Sequence, residues 1–325
     1  MTVCFVACFR RCLAGLTGLA GLAGFASLAG FASLAGFASL AGFAGLAHAA
    51  PQTFNSALPV PKGEFIFREQ FFYKKLGGDP GPADRTVTVR GAVSVLGYGI
   101  SGDFAVFGVL PYLHKALKVT AAGQRVRWRT GGIGDGRLFA RYTLFHDDAP
   151  GRSFRISPFA GLELPTGANH DRDALGVLPA TLQPGSGSWD PFFVIVATFQ
   201  TLAYEMDVAT SYKANTKANG FAFGDEARLD ASLQYRLWPR VLKGGLPGFL
   251  YGVLEANLIY QGKNAIGGVR DPNSGGVTLF VSPGLQYVTR RWVLEAVAQL
   301  PAVRDPGGAA LKDGVTVRAG FRVNF

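Results

Sequence analysis

The C-terminal stretch limits the possible folds more than any other part of the chain. Val315, Val317, Ala319, Phe321, Val323 and Phe325 alternate with Thr316, Arg318, Gly320, Arg322 and Asn324. A period of two belongs to an extended strand with two unlike faces. Ala227, Leu229, Ala231, Leu233, Tyr235 and Leu237 repeat the pattern against Arg228, Asp230, Ser232, Gln234 and Arg236. A face with this many full charges cannot be buried opposite an apolar core. Lipid outside and water inside satisfy both faces, and closing the sheet leaves no unpaired backbone edge in hydrocarbon.

The same alternation, broken by Gly, Asp, Asn and Pro clusters, predicts strands near 62–76, 85–99, 103–117, 133–146, 153–165, 188–200, 203–214, 223–238, 248–263, 276–288, 291–303 and 313–325. The expected fold is therefore all-β, a closed antiparallel transmembrane β-barrel of about twelve strands of the bacterial outer-membrane type. Long connections at Gly77–Asp84, Lys118–Gly132, Thr166–Gly187 and Ala265–Gly275 alternate with tight ones at Ile100–Gly102 and Thr289–Arg290. That asymmetry separates outer loops from periplasmic turns and puts both termini in the periplasm. Pro239–Pro247 is a longer periplasmic turn than this rule predicts. Aromatic residues near strand ends, among them Phe71, Phe72, Tyr73, Trp128, Trp189, Trp238 and Trp292, fit interfacial girdles.

Residues 1–49 have the composition of a cleavable signal peptide. Arg10 and Arg11 precede a long Leu, Ala, Gly and Phe stretch, and Ala47-His48-Ala49 forms a small-x-small site, so cleavage is expected after Ala49. An uncleaved anchor is the competing reading. A hexapeptide, Leu-Ala-Gly-Phe-Ala-Ser, recurs from Leu22 to Ser39. Six residues advance a helix by about 600°, so the Phe side chains form no stripe and the repeat is low complexity. After position 60 no apolar run approaches the ~20 residues that a spanning helix needs. The expected organisation is thus a signal peptide at 1–49 and a barrel at 50–325.

All three cysteines, Cys4, Cys8 and Cys12, fall in the leader, so the barrel is expected to carry no disulfide or thiolate metal site. The formal charge is +10. Because the cations are spread along alternating strands rather than gathered in a run, a nucleic-acid partner is not expected. The expected partners are outer-membrane lipid, the barrel-assembly machinery and a small organic solute.

Two segments carry a family resemblance: Gly132-Ile133-Gly134-Asp135-Gly136, and Leu162-Glu163-Leu164-Pro165-Thr166-Gly167 followed by Gly185-Ser186-Gly187-Ser188-Trp189-Asp190. With them the chain resembles the outer-membrane family named for the meta pathway of phenol degradation, over essentially the whole of 50–325. The resemblance implies a small barrel for uptake of small, often aromatic, compounds. The terminal Phe325 similarly resembles the C-terminal assembly signal of outer-membrane barrels, which implies recognition by the assembly machinery. From the residues alone, Gly132–Gly136 has turn chemistry and lacks the following helix that a phosphate loop requires. Pro165-Thr166-Gly167 ends a strand, and the Thr166–Gly187 loop is expected to cover or constrict the mouth.

The residues expected to line the lumen are Arg68, Arg90, Arg137, Arg141, Arg155, Glu163, Arg228, Asp230, Arg236, Glu255, Glu295, Arg318 and Arg322, with Lys213, Glu205 and Asp207 in the same set. Many of these should pair across the lumen, since unpaired buried charges are costly. The remaining arginines would favour anions or polarised phenolates. No cofactor or metal is expected, and no catalytic residue: His114, His146 and His170 have no Ser at the alternate position beside them, as an acyl-transfer site would need. The expected function is a passive outer-membrane channel for small organic solutes. A closed structural or adhesive barrel, or an outer-membrane lipid hydrolase, are the alternatives.

Overall fold

A computed structural model of the chain describes residues 48–121, 123–173, 176–241 and 248–325. The segment expected to be a signal peptide, with its hexapeptide repeat, lies outside the described residues, apart from His48 and Ala49.

Twelve wall strands follow one another around a closed up-and-down barrel. They are β1 (Phe65–Gly77), β2 (Thr86–Gly99), β3 (Phe104–Ala121), an interrupted β4 (Gln124–Ile133, Gly136–Tyr142 and Phe145–Ala149), β5 (Arg152–Leu164), β6 (Asp190–Thr201), β7 (Tyr204–Lys213), β8 (Glu226–Trp238), β9 (Phe249–Gln261), β10 (Gly276–Val288), β11 (Trp292–Pro306) and β12 (Lys312–Asn324). Each pairs antiparallel with its sequence neighbour, and β12 closes on β1 with Arg322 opposite Arg68 and Val317 opposite Tyr73. The terminal Phe325 is tied by reciprocal backbone hydrogen bonds to Phe65, and their rings stack.

The alternation sorts the side chains as the sequence requires. Leu229, Leu233, Leu254, Leu258, Leu285, Leu294 and Val208 stand exposed on the outer wall, while Asp230, Gln234, Glu255, Asn257 and Gln286 point inward and are buried. So broad an apolar outer surface would be an aggregation liability in water and is what a lipid-facing wall requires. Tyr98, Tyr204, Tyr235 and Trp292 ring the end that holds the termini, and Tyr73, Tyr112, Tyr212 and Tyr260 ring the other.

Three expectations are corrected. Lys118–Gly132 is not a loop, because β3 runs to Ala121 and β4 begins at Gln124 in continuous register. Gly132–Gly136 is not a turn but part of a break within β4, between the Tyr112–Ile133 and Val109–Arg137 pairs. Phe72 and Trp128 leave the girdles, since each occupies an inward position of its strand, Phe72 beneath Arg318 and Trp128 opposite Leu117.

Candidate functional site

The lumen holds the charges in small clusters. The Arg68 guanidinium meets Glu295 at 2.7 Å, with the Glu295 side chain only 3% exposed, and Gln70 and Gln286 also donate to that carboxylate. Glu163 binds Arg137 at 2.5 Å and Lys213 at 3.2 Å. Arg228 meets Asp230 at 3.0 Å, and Arg155 meets Asp148 at 2.5 Å. Four inward arginines take neutral partners instead. Arg318 donates to Gln299 and Gln70 and lies over Phe72, Arg141 donates to the Ser56 carbonyl between Phe107 and Phe159, and Arg236 lies over Phe249. Arg322 donates to the His48 carbonyl.

Arg90 is a correction. It pairs with Tyr73 and His114 on the outer face, and the inward positions of β2 are Val87, Val89, Gly91, Val93, Val95 and Gly97. A strand reverses face at every residue, so a cation between Val89 and Gly91 must point away from them.

Sequence reasoning missed the segment that fills the lower lumen. Ala49 packs on Val288 and Val293, next to the tight turn at Thr289–Arg291. From there the chain climbs inside the barrel. Gln52 donates its backbone N–H to Glu255, Thr53 donates its hydroxyl to the same carboxylate and accepts from Asn257, and the Gln52 carbonyl accepts from Arg68 and Gln70. It then crosses to the opposite wall, where the Ala57 N–H donates to Thr198 and its carbonyl accepts from Ser157. Ala57 and Val60 are buried, and at Pro61 the chain returns to the periplasmic end beside Gly99. A side chain at Gly99 would lie 2.1 Å from the Pro61 carbonyl, so the close approach requires glycine there. Residues 49–61 thus form an internal plug, and the buried carboxylates Glu205, Asp207 and Glu255 take their hydrogen bonds from Gln200, Thr198, Gln234 and the plug rather than from cations. The sequence offered no period here, only Pro51, Pro59 and Pro61 among small polar residues.

At the outer mouth, the two motif segments interlock. Thr166 Oγ1 accepts from the Gly136 N–H at 2.8 Å and donates to the Gly134 carbonyl at 3.0 Å. The Asp135 carboxylate accepts from the Gly167 N–H, the Ser186 N–H and the Ser186 hydroxyl. Gly167 and Gly185 touch so closely that a side chain at Gly185 would lie 2.5 Å from the Gly167 carbonyl. The break in β4 therefore supplies the backbone groups that moor the 166–187 loop. That loop lies against the inner face of β3 and β4, with Lys115 donating to the Gln183 carbonyl at 2.6 Å and Thr130 donating to Asp171. At the ends of β1 and β9 to β12, a cavity of about 170 Å³ opens between Lys74, Gln261, Thr278, Arg304 and Asp313.

The inner wall has two unlike sides. On β2 and β3 it is apolar, with Val87, Val89, Val93, Val95, Phe107, Val109, Leu113 and Leu117 facing in and none of them fully buried. Beside it on β1 and β12 stand Arg68, in register with Val95, and Arg318 and Arg322, and the polar faces of β8 to β11 continue the wall. Among the described residues no Ser hydrogen-bonds His114 or His146; His146 lies 3.6 Å from Asp148, and His114 packs on Tyr112 at the outer wall. His170-Asp171-Arg172-Asp173 sits in the mouth loop, and no cluster of three potential metal ligands occurs among the described residues.

These features coincide with a known family. Residues 78–300 match the family described as "Putative MetA-pathway of phenol degradation", and the chain belongs to it. Among solved structures, the chain is similar to the COG4313 outer membrane channel from Pseudomonas putida F1, with 13% identity, a TM-score of 0.62, and 86% of this chain and 100% of that one covered. It is also similar to the beta domain of the Bordetella autotransporter BrkA, with 11% identity, a TM-score of 0.43, and 81% and 100% covered. A search of curated proteins returned no match. The fold is that of an outer-membrane barrel.

Proposed function

We propose that the chain is an outer-membrane channel for small organic solutes that combine an apolar ring with a polar or anionic group. The observation that carries this reading is the two-sided inner wall. The part-exposed Val87, Val89, Val93 and Val95 offer contact to a ring, and Arg318 and Arg322 on the neighbouring wall, which have no carboxylate partner within ion-pair distance among the described residues, offer charge to a carboxylate or phenolate. A closed structural barrel has no need of an uncovered apolar inner strip, and a hydrolase needs a Ser–His pair. Flux of benzoate and of a neutral sugar of similar size into proteoliposomes tests the reading. Benzoate should enter faster, and Val93→Gln should slow it while leaving chloride flux unchanged. Equal rates for benzoate and the sugar would refute the proposal.

A second route is favoured by one observation. Beside the break in β4, an apolar groove of about 330 Å³ on the outer wall is lined by Phe67, Leu96, Leu110, Leu138 and Leu164. Next to it Ser94 donates to Glu69 at 2.6 Å, a polar pair on the lipid face midway between the girdles. Intramembrane ionisable groups mark functional sites more often than structural ones. If apolar solutes leave sideways here, Gly136→Val should slow toluene uptake and leave benzoate flux intact.

A further inference from the structure

Above the outer girdle, the β3–β4 hairpin carries a row of cations on its outer flank. The last apolar row pairs Tyr112 with Ile133, and beyond it the outward positions are His114, Ala116, Lys118 and Thr120 on β3 and Gly131, Arg129, Arg127 and Arg125 on β4. Lys118 stands directly opposite Arg127 on the same face. Lys75 of β1 and Arg90 of β2 extend the row sideways, in register with Thr88 and with His114 respectively. Like charges placed directly opposite in a sheet destabilise it. Arg125 is compensated by Asp84 at 2.9 Å. Among the described residues, no carboxylate lies within ion-pair distance of Lys75, Lys118, Arg127 or Arg129. Lys118, Arg127 and Arg129, adjacent on one face, are thus left for an anion from outside the chain.

Height and direction select its source. Arg129 and Arg127 lie four and six positions beyond Ile133. At about 3.3 Å per residue and a tilt of about 40°, that is roughly 10 and 15 Å above the apolar wall. The polar layer of a bilayer leaflet occupies the first ~5–7 Å, and a long arginine side chain reaches back into it. The row faces along the membrane plane and not into the lumen, so a solute entering the mouth does not meet it. Guanidinium forks match phosphate oxygens bidentately. We infer that this flank binds the phosphorylated glycolipid of the outer leaflet, with the phosphates of its glucosamine disaccharide on Lys118, Arg127 and Arg129 and its acyl chains along Tyr112, Ile133 and Leu138. The inference rests on outer-membrane location and is independent of what the lumen carries.

The test uses the full chain purified from outer membranes in detergent, titrated with bisphosphorylated lipid A and followed by native mass spectrometry. Wild type should bind it, and Lys118→Gln/Arg127→Gln/Arg129→Gln should bind at least tenfold more weakly while keeping its heat-resistant migration and its conductance. Lipid A lacking both phosphates should bind wild type as weakly as bisphosphorylated lipid A binds the variant, and millimolar inorganic phosphate should not displace the bound glycolipid. Equal affinity of wild type and variant overturns the inference. So does displacement by phosphate alone, which would mark a free-anion site. A wild type that binds the glycolipid more tightly than the variant but carries no current would leave this inference standing and count against the channel reading.

Discussion

Ala231 sits at the middle of the proposed lipid-facing wall, and an arginine there should weaken the barrel far more than one at Ala227. Both are outward positions of β8. Ala227 is flanked by Tyr212 and Tyr260 of the outer girdle, whereas Ala231 is flanked by Val208 and Ala256, halfway to the Tyr204–Tyr235 pair at the other end. Four residues at about 3.3 Å and a tilt of about 40° separate them by roughly 10 Å of depth. An arginine on the lipid face costs about 2–4 kcal/mol at the midplane and about 0–1 near an interface. Ala231→Arg should therefore lose about 2–3 kcal/mol more than Ala227→Arg. Reversible guanidinium unfolding in phospholipid vesicles, followed by tryptophan fluorescence, measures both. Equal losses, or no loss at Ala231, would mean that this face does not meet hydrocarbon and would refute the assignment of inside and outside.

Inside the barrel, Arg68→Ala strands Glu295 with only the amides of Gln70 and Gln286, and should cost about 3 kcal/mol, the low end for breaking a buried pair. The same unfolding titration should show most of that recovered in Arg68→Met/Glu295→Leu, and an additive double variant would contradict the pairing. Asp135→Ala removes three hydrogen bonds that moor the 166–187 loop. Hydrogen exchange at Gly167 and Ser186 should rise at least tenfold, with exchange in β8 to β12 unchanged. In the outer 78–85 loop, hydrogen bonds from the Arg85 side chain hold the Asp79 carboxyl well below the usual carboxylate range. A depressed folded pKa gives stability that is fully present above the unfolded value, about 3.9, and is lost as pH falls through the folded one. Protection of the Gly81 and Arg85 amides should accordingly persist at pH 4, and its loss near pH 5 would contradict the pairing.

The sequence made β8 to β12 legible because their two faces differ at every step, as in Leu229-Asp230-Ala231-Ser232. β2 and β3 were harder. Val93, Val95, Val109 and Leu113 are apolar on the inner face while Leu96, Leu110 and Tyr112 are apolar on the outer, so composition alone does not say which side is in. Register would have placed Arg90 correctly, since it falls between Val89 and Gly91 in a run of small apolar alternate positions. The outward row of Arg125, Arg127 and Arg129 escaped notice because alternate spacing does not look like a charge run. The Gly and Thr residues around it also give the stretch the composition of a loop. Segment 49–61 was illegible because its order comes from long-range hydrogen bonds to Glu255, Thr198 and Arg68, none of which leaves a local period. The Gly134-Asp135 and Thr166-Gly167 pairs were visible as motifs, but their contact, made across about thirty residues, was not.

On the proposed function, the lumen is a solute path narrowed by the plug and lined by cations. Single-channel recording in planar bilayers tests this most directly, comparing wild type with Thr53→Val, which removes the plug's hydroxyl contacts to Glu255 and Asn257, and with Arg318→Ala/Arg322→Ala. Wild type should carry a small steady current, Thr53→Val a larger one, and the arginine variant should show a lower anion preference. A properly folded, heat-resistant barrel that stays silent in all three would contradict it.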